Sequence, residues 1–172
     1  LYGSEVWGFD RAPEIDNFHI KFCKRLLRVH KYTPNSMILH ELGRTRLNTL
    51  IEAKMLNFWL KVASGDQNKL TSLLYRLLRS QFDHKVFASP WMTKIHDTLN
   101  NTGLGYIWDS EPCSINKVWF KGIISTRLQD IGKQIISSDI NSNGQCILYK
   151  NLISAKPAPY LAILDPRHRI SI

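Results

Sequence analysis

At 172 residues and 44% hydrophobic, the chain is long enough for one globular domain with a true core or for two small helical lobes, and disorder is not expected to describe the whole. Its 23 Lys and Arg against 14 Asp and Glu give a formal charge of +9, which favours polyanionic partners, whether phosphate-bearing polymers or acidic lipid. No uncharged apolar run approaches the roughly 20 residues of a membrane-spanning helix, and Cys23, Cys113 and Cys146 are too widely spaced for a disulfide framework or a zinc knuckle, so an intracellular protein of nucleus or cytoplasm with no membrane partner is expected.

The opening Leu1-Tyr2-Gly3-Ser4-Glu5-Val6-Trp7-Gly8 has no initiator Met and no signal segment, and it is aromatic-rich where a free terminus is ordinarily polar, so the chain is expected to be a piece of a larger protein. Asp10-Arg11-Ala12-Pro13-Glu14 reads as the entrance of a first helix, with Asp10 near the cap and Pro13 in the first turn. Ile15, Phe18, Phe22, Leu26 and Val29 recur at spacings of three and four and predict its apolar stripe, ending near Tyr32. Lys21, Lys24, Arg25, Arg28 and Lys31 repeat at the same spacings and are expected in a row along its solvent side.

Thr33-Pro34 repeats the cap-then-proline signal, and the short segment it opens is expected to close at Gly43. A third helix has its stripe at Leu47, Ile51, Met55, Phe58 and Val62, widened by Leu50 and Trp59, and ends at Ser64-Gly65-Asp66. Leu70, Leu73, Leu74, Leu77 and Leu78 predict a fourth. Ser89-Pro90 begins a fifth, with Trp91, Ile95 and Leu99 inward and an exit through Asn100 to Gly103. The stretch from Gly103 to Pro112 is aromatic yet broken by turn residues, which suggests a packed loop and a lobe boundary, dividing the chain into 1–102 and 103–172.

A sixth helix is expected from about Ser114 to Asp139 with Phe120, Ile124, Leu128, Ile131 and Ile135 inward, weakened by about 1 kcal/mol at each of Gly122 and Gly132. Asn141 to Gly144 is a turn, and a short amphipathic segment, Gln145 to Ile153, precedes the break at Pro157 and Pro159 and the tail Arg167 to Ile172. Period-two alternation is absent over any useful length. The expected fold is therefore all-α, an irregular bundle of six to seven helices in one or two small lobes.

Catalytic chemistry finds no footing in these residues. Acids are few and scattered, no Asp-Asp pair exists to hold two metal ions, and no catalytic residue, metal or cofactor is expected. His40-Glu41 is half of a His-Glu-x-x-His zinc site, but Arg44 stands where the second histidine belongs. His19 and Cys23 lie four apart and could approach one ion, yet with Phe18 and Phe22 beside them packing is the preferred reading. No phosphate-cradling glycine loop occurs. Of the five tryptophans, Trp59, Trp91 and Trp119 are expected in the core, with Trp7 and Trp108 left open.

Tyr2-Gly3-x-Glu5-x-Trp7, then Phe22-Cys23-Lys24, Thr33-Pro34-Asn35, Glu41-Leu42-Gly43-Arg44 and Phe58-Trp59, and more weakly Ile107-Trp108 and Lys117-Val118-Trp119, stand in an order and spacing that resembles the segment after the polymerase core in reverse transcriptases of non-LTR (LINE-type, jockey-like) retrotransposons. About the first sixty residues carry most of the resemblance. Two positions depart from the family pattern: Arg28 stands where relatives commonly have Gly, and Arg46 where they commonly have Pro. The resemblance implies a helical thumb-proximal region of an RNA-directed DNA polymerase, with the polymerase domain of the same polypeptide as a partner.

The expectation is thus a non-catalytic fragment that positions template RNA and target DNA irrespective of sequence, through Lys21, Lys24, Arg25, Arg28, Lys31, Arg44 and Arg46. The alternative is a structural or protein-interaction bundle with no nucleic-acid role, including a decayed copy of such an element, whose charges are simply solvated. The two part on geometry. Lys21, Lys24, Arg25 and Arg28 on one continuous surface with Arg44 or Arg46 would favour binding; dispersal of those charges, or their pairing with Glu14, Glu41 and Glu52, would favour the scaffold.

Overall fold

The computed structural model describes residues 2–152, and within them the chain is all-helical, with seven α-helices, three single-turn 3-10 segments and no strand. The helices are α1 (Ser4–Leu26), α2 (Asn35–Glu41), α3 (Leu47–Ala63), α4 (Leu70–Asp83), α5 (Pro90–Asn101), α6 (Lys117–Ser142) and α7 (Ile147–Lys150). Leu1, Ile153, the break at Pro157 and Pro159 and the tail Arg167 to Ile172 lie outside the described residues.

Several helix ends follow local chemistry alone. At α5 the Ser89 hydroxyl accepts from the Met92 N–H at 3.2 Å, Pro90 takes the first position, and Gly103 at φ +67° lets the Leu104 N–H reach the Leu99 carbonyl at 2.8 Å. At α2, Gly43 at φ +60° closes the helix in the same way, with the Arg44 N–H on the Leu39 carbonyl at 2.8 Å. Both ends fall where the residue types place them.

Packing groups the residues differently from a division at 102/103. Two compact units form, each from two separated stretches: Leu1–Glu14 with Leu47–Ile131, and Ile15–Arg46 with Gly132–Ile172. The segment after Gly103 is core, not boundary, because Leu104, Ile107 and Trp108 are buried among Ile51, Met55 and Trp59 of α3, Met92, Ile95 and Leu99 of α5, and Phe120, Ile124 and Leu128 of α6. Trp59 sits inside this first unit, stacked on Trp108 at 5.9 Å and 13°, with Phe120 at 6.1 Å. Its indole N–H donates to the Tyr75 hydroxyl at 3.0 Å, which avoids the roughly 1–3 kcal/mol cost of a buried donor without a partner. The second unit is built around Ile20, Leu39, Ile136, Ile140 and Cys146, with Met37 and Tyr149 packed on them.

Helix α1 begins at Ser4 rather than near Asp10, so Pro13 lies inside it. An interior proline costs about 3 kcal/mol. Tertiary contacts hold the preceding turns despite it: Gly8 packs so closely on α3 that a Cβ there would stand 2.2 Å from Ile51 Cγ2, and the Trp91 indole N–H donates to the Glu5 carbonyl at 3.0 Å. The buried seam of its second half is Asp16, Ile20 and Cys23, while Phe18, Phe22, Leu26 and Val29 of the expected stripe are exposed. Helix α1 also ends at Leu26, short of Tyr32, because Arg28 adopts φ +53° and closes it.

Helix α4 departs likewise. Leu70, Leu73, Leu74 and Leu77 are exposed, and it is Ser72 and Tyr75 that are buried, with Leu78 and Phe82 partly so. Polar anchors choose that face: Tyr75 meets Trp59, the Ser72 hydroxyl donates to the Val62 carbonyl at 3.1 Å, and the Arg79 guanidinium donates to the Trp108 carbonyl at 2.8 Å while lying 4.0 Å over the Trp108 ring. In α6, Asn116 Oδ1 accepts from the Val118 and Trp119 N–H groups, and Phe120, Ile124 and Leu128 are buried as expected. Each step of four overshoots a full turn by about 40°. The stripe therefore winds around the helix, Ile136 and Ile140 take the later buried places, and Ile135 and Trp119 are exposed.

Candidate nucleic-acid interface

The second half of α1 carries its cations on the side next to the buried Asp16–Ile20–Cys23 seam. The helix ends in a tight reversal, with the Arg28 N–H on the Arg25 carbonyl at 3.1 Å and the Val29 N–H on the Lys24 carbonyl at 3.1 Å, the paired bonds of a Schellman end. The chain then turns back, where the Thr33 N–H reaches the His30 carbonyl at 3.0 Å, and enters α2 at Asn35. Lys24 reaches across this turn and donates from Nζ to the Lys31 carbonyl at 2.8 Å.

Helix, turn and α2 together enclose a concavity of about 510 Å³. Lys21, Lys24, Arg25 and Lys31 line it, with Asn17 and Asn35 as neutral donors and Ile20 and Val29 as apolar floor. No carboxylate among the described residues lines it, and none of these four cations is held in an ion pair there. Burial pushes the Lys24 ammonium below the ordinary lysine value, since part of its hydration is lost without a compensating anion. An anion in the concavity would reverse that shift.

The seven expected contact residues are divided. Lys21, Lys24, Arg25 and Lys31 share the concavity, and Arg28 does not line it. Arg46 donates to Asp16 Oδ2 at 3.2 Å, an ion pair whose carboxylate side chain is only 5% exposed, and Arg44 approaches His19 Nε2 at 3.3 Å. Arg46 ties the segment after α2 to α1 by this ion pair and Arg44 by its contact with the His19 ring, and neither lines the concavity. Of the acids a scaffold would use, Glu52 pairs with Lys94 at 2.6 Å and Glu41 accepts from the Tyr149 hydroxyl at 2.8 Å. Asn17 and Asn35 carry no binding signal of their own in the sequence, although Asn17 stands four before Lys21 on the same arc, a spacing that places it beside that lysine.

His19 and Cys23 do meet, with Sγ 3.4 Å from Nε2, but Cys23 is fully buried. Burial pushes its thiol up, with the Arg44 cation opposing, and burial with Arg44 pushes the His19 ring down, with Asp16 opposing. A neutral imidazole beside a protonated, inaccessible thiol is a packing contact and not a nucleophile. His40 and Glu41 both engage Tyr149, whose hydroxyl lies 3.0 Å from His40 Nδ1. Among the described residues no group of three or more His, Cys, Asp or Glu could hold a metal ion, and no helix is long and apolar enough to cross a membrane.

The arrangement can neutralise several phosphates at once, with the Arg25 guanidinium, three ammonium groups and two carboxamides available to their oxygens. No family model, no curated protein and no solved structure matches the chain.

Proposed function

We propose that this chain is a non-catalytic positioning module of a non-LTR retrotransposon RNA-directed DNA polymerase, holding template RNA and target DNA through the basic concavity of α1 beside the polymerase domain of the same polypeptide. The observation that carries the binding reading is the grouping of Lys21, Lys24, Arg25 and Lys31 with Asn17 and Asn35 around one carboxylate-free concavity. The parentage rests on the ordered resemblance from Tyr2 to Trp59, with Thr33-Pro34-Asn35 and Glu41-Leu42-Gly43-Arg44 at its centre.

Charge reversal of Lys21 and Arg25 to Glu tests the binding. Both are exposed, so helical circular dichroism should persist. Affinity for RNA and DNA should fall irrespective of sequence, and the slope of log affinity against log salt should flatten by roughly 0.7 per lost contact on single strands and 0.9 on duplex DNA. A folded variant with unchanged affinity and slope would remove the role from this face. Metal-dependent synthesis by the chain alone on a primed RNA template would overturn the non-catalytic assignment.

A second reading, the protein-interaction bundle, is favoured by α4, where Leu70, Leu73, Leu74 and Leu77 stand exposed together at helical spacing. Self-association measured by sedimentation, abolished by L73S and L77S, would support it.

A further inference from the structure

Phe18 and Phe22 are 74% and 55% exposed, although a stripe of this spacing would ordinarily be buried. They stand four apart, and Lys21 and Arg25 follow each by three, so Phe18, Lys21, Phe22 and Arg25 form one exposed patch in which rings and cations interleave. Lys21 and Arg25 are also walls of the basic concavity, and the two rings stand next to them on the helix, outside its lining.

We infer that the ligand of this face is single-stranded nucleic acid, with unpaired bases stacked on Phe18 and Phe22 while Lys21 and Arg25 hold the intervening phosphates. The inference rests on the binding reading above and narrows it to unpaired strands. Four residues of helix separate the rings by about 6 Å along the axis, whereas successive bases in a stacked strand rise about 3.4 Å. Two bases reach the two rings only if they are splayed apart, which a single strand permits and an intact duplex does not. Interleaved cations argue against other occupants. The dry centre of a protein interface is depleted in lysine, and a helix lying on lipid segregates its apolar and basic faces.

The test compares binding of the full chain to a fluorescent oligothymidylate and to a duplex of equal length, in three variants. F18L/F22L keeps apolar bulk and removes the rings; single-strand affinity should fall by about five- to a hundredfold per ring engaged, with duplex affinity and the salt slope unchanged. F18Y/F22Y keeps the rings and should retain single-strand affinity. K21E/R25E should weaken both ligands. Single-strand affinity unchanged in F18L/F22L, or an equal loss on duplex, would overturn the stacking inference while leaving the phosphate reading intact. Failure of K21E/R25E to weaken either ligand would instead overturn the reading beneath it.

Discussion

Arg28 is a non-glycine residue at φ +53°, in the left-handed region that favours glycine. A Cβ in that left-handed conformation costs roughly 1–2 kcal/mol, and replacing it with glycine returns about 0.4–1 kcal/mol of that as added freedom of the unfolded chain. Arg28→Gly should therefore stabilise the protein by about 0.5–1 kcal/mol relative to Arg28→Ala, or roughly 2–4 °C in melting temperature per kcal/mol for a chain of this length. The alanine variant removes the same side chain and whatever it contacts while keeping the strained backbone, so the comparison isolates the conformational term. The two bonds of the helix end, Arg28 N–H to Arg25 and Val29 N–H to Lys24, involve only backbone and survive both changes. Thermal and urea unfolding followed by circular dichroism gives the answer. A glycine variant no more stable than the alanine variant would refute the assignment of Arg28 to the left-handed helix end, and with it the position of the turn that shapes the basic concavity.

Gly8→Ala should destabilise by about 1–3 kcal/mol, because the new Cβ collides with Ile51 Cγ2, and Ile51→Ala in the same chain should make the double variant more stable than the sum of the two losses, as a double-mutant cycle of unfolding free energies would report. Titration with a thiol reagent should modify Cys113 quickly in the native protein, whereas the buried Cys23 and Cys146 should react only on unfolding. His19 is held below its ordinary value of 6.5, so the unfolded state binds the proton more readily; its contribution to stability is present above that value and is lost as pH falls through it towards the lowered folded value, and His19→Gln should flatten that part of the stability profile.

What the sequence by itself determined is the local chemistry of helices. The all-α class, both ends of α5, the Gly43 end of α2 and the body of α3 are written in short-range signals such as Ser89-Pro90, Gly43 and Gly103, whose hydrogen bonds close within a single turn, whereas α2 starts at Asn35 with Pro34 at its cap in place of the expected Thr33. Part of the candidate site was legible for the same reason, since the spacing of Lys21, Lys24 and Arg25 is a property of one helix. Which face is buried is a different kind of fact. Helix α4 offers both a leucine stripe and a face of Ser72, Tyr75, Leu78 and Phe82, and only the partners Trp59 and Val62 choose the latter. Helix α1 keeps its turns before Pro13 because α3 leaves room for Gly8 and nothing larger. The neighbours of each cation are decided in the same way: Arg46 meets Asp16 and Arg44 meets His19, while Lys31 and Asn35 are carried beside Lys24 by a turn that reverses the chain. Hydrogen bonds that close within a turn are visible to spacing rules, but burial and charge pairing depend on residues brought from far along the chain, and only the tertiary structure supplies those neighbours.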